Sequence, residues 1–169
     1  FIQWIVSLIS QNLYPGVFLA ALIETVFPPI PSEVVFPLAG YSILKNEMSV
    51  FHVIGVGITG GCGATAGAFV IYIISRKLGR VGLIKYLKYE KIKENSLEKA
   101  DHWFAKYGDK SVVIGRVIPG IRELVSIPAG IFNMNPIKFL IFTLIGSCIW
   151  SMALTGVGYY FGVATLNVF

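Results

Sequence analysis

The pattern of hydrophobic positions divides the chain into two long apolar runs and two shorter ones that prolines interrupt. The long runs cover residues 50–74 and 136–160, and a helix needs roughly 20 apolar residues to cross a bilayer. Both runs are rich in Gly, Ala, Ser and Thr, which let membrane helices pack closely. The pattern therefore predicts two transmembrane helices.

A shorter apolar segment with internal prolines precedes each long run, at residues 16–45 and 111–132. A helix over residues 16–27 is about 18 Å long, little more than half of a hydrocarbon core of about 30 Å. Proline lacks a backbone donor and clashes with a preceding carbonyl group, so each segment is predicted to turn back as a re-entrant hairpin. The predicted breaks are Pro28, Pro29 and Pro31 in the first hairpin and Pro119 and Gly120 in the second.

An internal repeat relates the two hairpins. An offset of 90 residues aligns Ala39-Gly40 with Ala129-Gly130, Glu33 with Glu123, and Pro29 with Pro119. The apolar runs that follow also match, with Cys62 near Cys148. We expect one unit, a broken hairpin followed by a transmembrane helix, to occur twice. Chance similarity between apolar sequences is the alternative.

Residues 75–110 are the long polar stretch of the chain and hold ten of its fourteen Lys and Arg residues, with five acidic ones. Because basic loops tend to stay in the cytoplasm, this linker is predicted to be cytoplasmic. The first hairpin would then enter from outside and the second from the cytoplasm, which makes the repeats inverted. Many secondary transporters share this arrangement, with binding sites at paired helix breaks. The predicted fold class is an all-α integral membrane protein of two inverted repeats.

Two further segments are predicted to lie at the membrane surface. The linker carries an amphipathic pattern, with Leu97, Ala100, Phe104 and Tyr107 on one helical face opposite Lys99 and Lys106. This pattern predicts a helix lying on the anionic inner leaflet, and a solvated linker helix is the alternative. Residues 1–15 lack the basic flank of a signal peptide and are too short to span, so an interfacial or partial helix is predicted there.

Composition agrees with this picture and narrows the chemistry. The 169 residues are 55% hydrophobic and 14% charged, as in one membrane domain. The net charge of +5 calls for no nucleic-acid partner, because cytoplasmic loops of membrane proteins are ordinarily basic. Cys62 and Cys148 lie in apolar runs and are interpreted as small buried hydrophobes. His52 and His102 are far apart and no HExxH motif occurs, so no metal or cofactor is expected.

The candidate functional residues are the charges within or beside the broken segments: Glu24, Glu33, Arg116, Arg122 and Glu123. Each charge costs about 2.5 to 3.5 kcal/mol at the centre of a membrane helix, so functional roles are expected. Arg116 and Arg122 would point about 240° apart on a continuous helix. A break at Pro119-Gly120 lets both reach one ligand.

Two arginine forks suit a phosphate group. The N-termini of half-helices restarting after Pro31-Ser32 or Pro119-Gly120 would add partial positive charge. The glutamates are predicted to take up a proton or to pair with an arginine while the site is empty. Structural ion pairs that lock the hairpins without any ligand are the alternative.

At these residues the sequence resembles the DedA family of bacterial membrane proteins, which is related to the lipid-scrambling domain of eukaryotic SNARE-associated Golgi proteins. The resemblance rests on "PPIPSE" and "PLAG" in the first hairpin, "GRVIPGIRELVSIPAG" in the second, and Gly146 and Trp150 with "GYYFG" in the last run. It implies a carrier in the bacterial plasma (inner) membrane that returns undecaprenyl phosphate from the outer to the inner face.

The resemblance also implies roles for particular residues. The essential acidic pair of the family matches Glu24 and Glu33, and its essential arginine pair matches Arg116 and Arg122. Many members have Asp after a longer loop where this chain has Glu33, which leaves the geometry of the acidic pair open. The expected partners are the polyprenyl-phosphate lipid and membrane phospholipids. Proton coupling and homo-oligomerisation are left open.

Several other functions remain as alternatives. A proton-coupled cation or drug antiporter would use the acidic pair as its substrate site, and a less selective phospholipid scramblase would need no phosphate specificity. An intramembrane lipid phosphatase is disfavoured, because the sequence offers no evident nucleophile or metal set. A structural membrane protein whose hairpins only pack is the remaining class.

Overall fold

The computed structural model describes residues 12–26, 32–89, 94–122 and 124–166, and every regular element in these ranges is helical. This confirms the predicted all-α class. The elements are α1 (Leu13–Val26), α2 (Ser32–Lys45), α3 (Phe51–Tyr89), α4 (Glu94–Tyr107), a 3-10 turn (Gly108–Lys110), α5 (Ser111–Arg116), α6 (Ser126–Ile131) and α7 (Pro136–Leu166).

Within the described ranges, two helices are long and apolar enough to cross a membrane, over Phe51–Gly79 and Pro136–Gly162. The predicted span 136–160 lies within α7 and starts at the same residue. The predicted span 50–74 corresponds to the first part of α3, which begins at Phe51. The helical geometry of α3 is interrupted at Gly79, whose φ of 62° suits glycine, and a second helical part continues into the polar stretch as far as Tyr89.

The outer surface of α7 is apolar. Ile137, Ile141, Ile145 and Ile149 follow one another at four-residue spacing, and all four are exposed. In water such a stripe would be costly, whereas in a bilayer it meets hydrocarbon. The stripe therefore fits a helix whose surroundings are lipid.

The chain divides into two compact units, and the first comprises Phe1–Gly67 with Ser147–Phe169. Its two arms, α1 and α2, pack against each other and against the start of α3. The buried apolar side chains that join them are Val17, Ala20 and Ala21 of α1, Val35, Phe36, Ala39 and Ile43 of α2, and Val56 of α3. The first hairpin is thus a pair of packed helices, although residues 27–31, which include Pro28, Pro29 and Pro31, lie outside the described residues.

The second unit comprises Ala68–Gly146. Its core is centred on Tyr72 of α3, which stacks on Phe139 of α7 at 4.5 Å between ring centroids. The Tyr72 hydroxyl donates a hydrogen bond to the Met134 carbonyl oxygen and accepts one from Arg76 Nη1 at 3.0 Å. These contacts place the end of one candidate span beside the start of the other.

The amphipathic helix of the linker differs from its prediction. Phe104 is buried and stacks on Phe132 at 5.3 Å, so this part of the apolar face covers protein. Lys99, Lys106 and Tyr107 are exposed. The expectation that the apolar face lies on the inner leaflet is therefore wrong at Phe104, because the hairpin residue Phe132 competes for the same surface. The side chains of Leu97 and Ala100, like residues 1–11 at the N-terminus, lie outside the described part.

The paired Ala-Gly positions make the same local contact in the two units. A Cβ atom added at Gly130 would lie 2.6 Å from the Tyr72 carbonyl oxygen and 3.0 Å from the Arg76 nitrogen. A Cβ atom at Gly40 would meet the carbonyl oxygen of Thr155 and the nitrogen of Tyr159. In both cases the glycine lies over one backbone turn of a long helix, which only a residue without a side chain allows.

Candidate functional site

The turn of the second hairpin is formed by consecutive backbone hydrogen bonds between residues three or four positions apart. α5 ends at Arg116, Gly120 adopts a φ of 80°, and α6 begins at Ser126. Between them the Arg122 nitrogen donates to the Ile118 oxygen at 3.1 Å, and the Val125 nitrogen donates to the Ile121 oxygen at 3.0 Å. Pro119 and Gly120 are exposed at the tip of this turn.

This geometry corrects one expectation. A half-helix was predicted to restart directly after Pro119-Gly120, with its N-terminus at the ligand. The helix instead restarts at Ser126 and is only six residues long. The left-handed conformation of Gly120 leads the chain into turns rather than into a helix. A contribution from a helix N-terminus directly after Gly120 is therefore wrong for the second hairpin.

Arg116 is a buried cation fixed by three elements. It is 4% exposed, it ends α5, and its Nη2 donates a hydrogen bond of 2.6 Å to Ser126 Oγ at the start of α6. Its stem contacts α7, since a Cβ atom at Gly146 would lie 2.6 Å from the Arg116 Cβ. The guanidinium is thereby held across the break between the two short helices.

Arg122 lies in the turn itself, two residues after Gly120, and is half-buried. The two arginines therefore belong to one hairpin, one at the end of a helix and one within the turn. Glu123 follows directly and lies outside the described residues.

The first hairpin places its two carboxylates in different surroundings. Glu24 is 3% exposed in the last turn of α1, next to the buried Thr25, whose hydroxyl donates to the Ala21 oxygen at 2.8 Å. Glu33 is exposed in the first turn of α2. An acid in the first turn of a helix is favoured by the helix dipole. The two carboxylates that the sequence suggested as a pair therefore differ: Glu24 is buried and Glu33 is exposed.

The buried hydroxyl groups were not predicted from the sequence. Ser126, the partner of Arg116, was not singled out, because its role depends on a contact ten residues away across a turn. A row of buried hydroxyls on α7 was also missed, although its four-residue spacing is visible in the sequence: Thr143, Ser147, Ser151 and Thr155. Each of these hydroxyl groups is a buried polar group within an apolar chain.

Helical units with long apolar helices and buried charges define the class: a helical membrane protein. A family model of the VTT domain matches residues 27–160. The chain therefore belongs to the VTT-domain family, which confirms the resemblance to DedA, and protein DedA of Escherichia coli is among its relatives. No solved structure matches the chain at a significant level.

Three relatives cover most of the chain. Undecaprenyl phosphate transporter A of Staphylococcus aureus is 34% identical over 92% of this chain and 77% of its own length. The uncharacterized membrane protein YkoX of Bacillus subtilis is 41% identical, over 95% of this chain and 67% of its own. An alkaline phosphatase-like protein of Lactococcus lactis subsp. cremoris is 36% identical, over 91% of this chain and 73% of its own.

Proposed function

We propose that the protein carries a polyprenyl phosphate, undecaprenyl phosphate in the first instance, across the bacterial plasma membrane. The observation that carries the proposal is the buried guanidinium of Arg116, which donates a hydrogen bond to Ser126 across the turn between α5 and α6. The relative named undecaprenyl phosphate transporter A supports the choice of lipid.

The chemistry of the site favours a phosphate. A cation buried in an apolar chain is costly, and such groups are retained mainly where they bind or move something. A guanidinium presents a rigid fork of donors that matches the oxygens of a phosphate group. Arg116 and Arg122 flank the turn at Gly120, so we propose that both hold the headgroup while the prenyl tail stays in the bilayer.

The architecture we propose is two inverted repeats, each with a re-entrant hairpin, joined by a cytoplasmic linker. The equivalent contacts of Gly40 and Gly130 on a turn of a long helix support the repeat. The concentration of Lys and Arg at 75–110 supports the cytoplasmic position of the linker. Inverted repeats with broken helices are common among carriers that work by alternating access.

We propose that proton coupling depends on the glutamates. Glu24 is the stronger candidate, because its carboxyl group is buried, and uptake of a proton would change the charge of the interior. Glu33 is exposed and Glu123 follows the turn residue Arg122, so we assign both to pairing with cations. Protonation would then bias which side of the carrier is open.

The experiment is a thermal unfolding titration of the detergent-purified protein. Undecaprenyl phosphate is compared with undecaprenol and with phosphatidylglycerol, in the wild type and in Arg116→Ala/Arg122→Ala. A ligand that binds the folded state stabilises it, by about 2.7 kcal/mol at a ligand concentration of one hundred times the Kd, and so raises the apparent melting temperature. We expect selective stabilisation by the phosphate that the double variant loses.

Two results would contradict the proposal. Equal stabilisation by all three lipids would favour an unselective scramblase. Absence of any lipid effect, with the pH dependence of stability lost on substitution of Glu24, would favour a proton-coupled antiporter in which the arginines are structural.

A further inference from the structure

We infer that Ser126 belongs to the phosphate site: its hydroxyl is the positioning group that holds the Arg116 guanidinium ready for the headgroup. This inference rests on the proposed function. It starts from a hydrogen bond of 2.6 Å between Arg116 Nη2 and Ser126 Oγ, which joins the last residue of α5 to the first residue of α6.

The surroundings of Ser126 favour the Arg116 guanidinium as the partner of its hydroxyl. Ser126 is fully buried, and the residues on either side of it, Val125 and Ile127, are buried and apolar. A hydroxyl taken out of water costs free energy unless it finds a partner in the protein. The guanidinium supplies that partner, and in return its fork is held at one orientation.

Ser126 also lies on an arm of the hairpin that packs closely on α3. Four residues further along α6, Gly130 lies directly on the backbone of α3 at Tyr72 and Arg76. The other arm, α5, contacts Val125, the residue before Ser126: a Cβ atom at Gly115 would lie 3.0 Å from the Val125 side chain. The Ser126 hydroxyl is therefore a fixed point against which Arg116 is oriented.

The hydroxyl of Ser126 is compatible with an anion site. A hydroxyl accepts one of the five guanidinium N–H groups and adds no negative charge of its own. A carboxylate in the same position would compete with a phosphate for the cation. The Ser126 O–H can in addition donate to a phosphate oxygen that binds beside Nη2.

Ser111 provides a matched control within the same unit. Like Ser126, it is the first residue of a short helix and is fully buried. Among the described residues, its hydroxyl has no hydrogen-bond partner. A substitution at Ser111 removes the same atom from an equally buried position without touching Arg116.

The test is a binding titration of undecaprenyl phosphate by thermal unfolding of the full chain, with undecaprenol as the neutral probe. Ser126→Ala is expected to raise the apparent Kd for the phosphate about tenfold or more, since hydrogen bonds to charged groups are among the strong ones. Ser126→Thr, which keeps the hydroxyl, and Ser111→Ala are expected to bind like the wild type. Ser126→Cys, which keeps the volume and loses the strong acceptor, replaces the alanine variant if that variant does not fold.

The outcomes distinguish failure of the proposed function from failure of the role proposed for Ser126. If the wild type is not stabilised selectively by the phosphate, the proposed function fails and the inference with it. If the wild type is stabilised but Ser126→Ala or Ser126→Cys binds as tightly, only the role of Ser126 is overturned. Equal weakening by Ser111→Ala would also overturn it, because the effect would then come from packing.

Discussion

The two hairpins share one packing device and differ in how they present charge. Each uses an Ala-Gly pair to lie directly on a turn of a long helix. The arms of the first hairpin are helices of 14 residues, and its buried charge, Glu24, lies on a helix. The arms of the second are helices of six residues, and its charges lie at the helix end and in the turn.

The two hairpins therefore take different parts in the proposed function. The buried carboxyl group of Glu24 is the candidate for proton uptake. Arg116, held by Ser126 at the end of α5, and Arg122, in the turn, are the candidates for binding the headgroup.

The largest effect is expected for a substitution of Arg116 in the second hairpin. Arg116→Lys keeps the positive charge and removes the planar fork. We expect the selective stabilisation by undecaprenyl phosphate to be lost, with a decrease in affinity of about tenfold or more. The same change in the exposed Arg76 is the control, measured by the same unfolding titration. Retention of full affinity in Arg116→Lys would show that only charge matters.

The next comparison is between the carboxylates of the first hairpin. Glu24→Gln mimics the protonated acid in the buried position, and Glu33→Gln makes the same change in the exposed one. We expect Glu24→Gln to flatten the pH dependence of lipid transport in proteoliposomes, and Glu33→Gln to alter it less. A larger effect at Glu33 would move the proton site to α2.

The shared packing device predicts equal sensitivity in the two units. Gly40→Ala and Gly130→Ala each place a Cβ atom on a helix backbone, and we expect each to lower the free energy of unfolding by about 1 to 3 kcal/mol. Gly156→Ala, where a Cβ atom meets no other atom within 4 Å, is the control and is expected to be neutral or slightly stabilising. Strongly unequal losses in thermal unfolding at Gly40 and Gly130 would contradict the repeat.

The smallest effect concerns a contact described in the second unit. Tyr72→Phe keeps the ring stacked on Phe139 and removes the hydroxyl that links Arg76 to the Met134 oxygen. The expected cost is about 0.5 to 1.5 kcal/mol, the usual net contribution of one intramolecular hydrogen bond. Thermal unfolding without lipid measures it. A variant as stable as the wild type would mean that the hydroxyl contributes nothing to joining α3 to the segment that precedes α7.

Much of the helical architecture could be predicted from the sequence. The run 136–160 predicted the start of α7, because uninterrupted apolar residues leave few alternatives to a long helix. The second helical part of α3, which continues beyond the break at Gly79 to Tyr89, was not predicted, because residues 75–89 are polar on average. Polarity in a sequence does not by itself mark where a helix ends.

The candidate site was only half predictable. The cost of buried charge was enough to single out Glu24 and Arg116, which are both buried. The hydroxyl partner Ser126 and the helix start at that residue depend on the conformation of Gly120 and on contacts between distant residues. The covering of Phe104 by Phe132 is of the same kind. A hydrophobic face in a sequence predicts that something covers it, and tertiary structure decides what.

The most direct test of the central claim is the movement of undecaprenyl phosphate between the leaflets of proteoliposomes. The rate is compared among the wild type, Arg116→Ala/Arg122→Ala and protein-free vesicles. The account predicts fast movement with the wild type only, and movement at the protein-free rate with the double variant. Equal rates for the wild type and the double variant would contradict it.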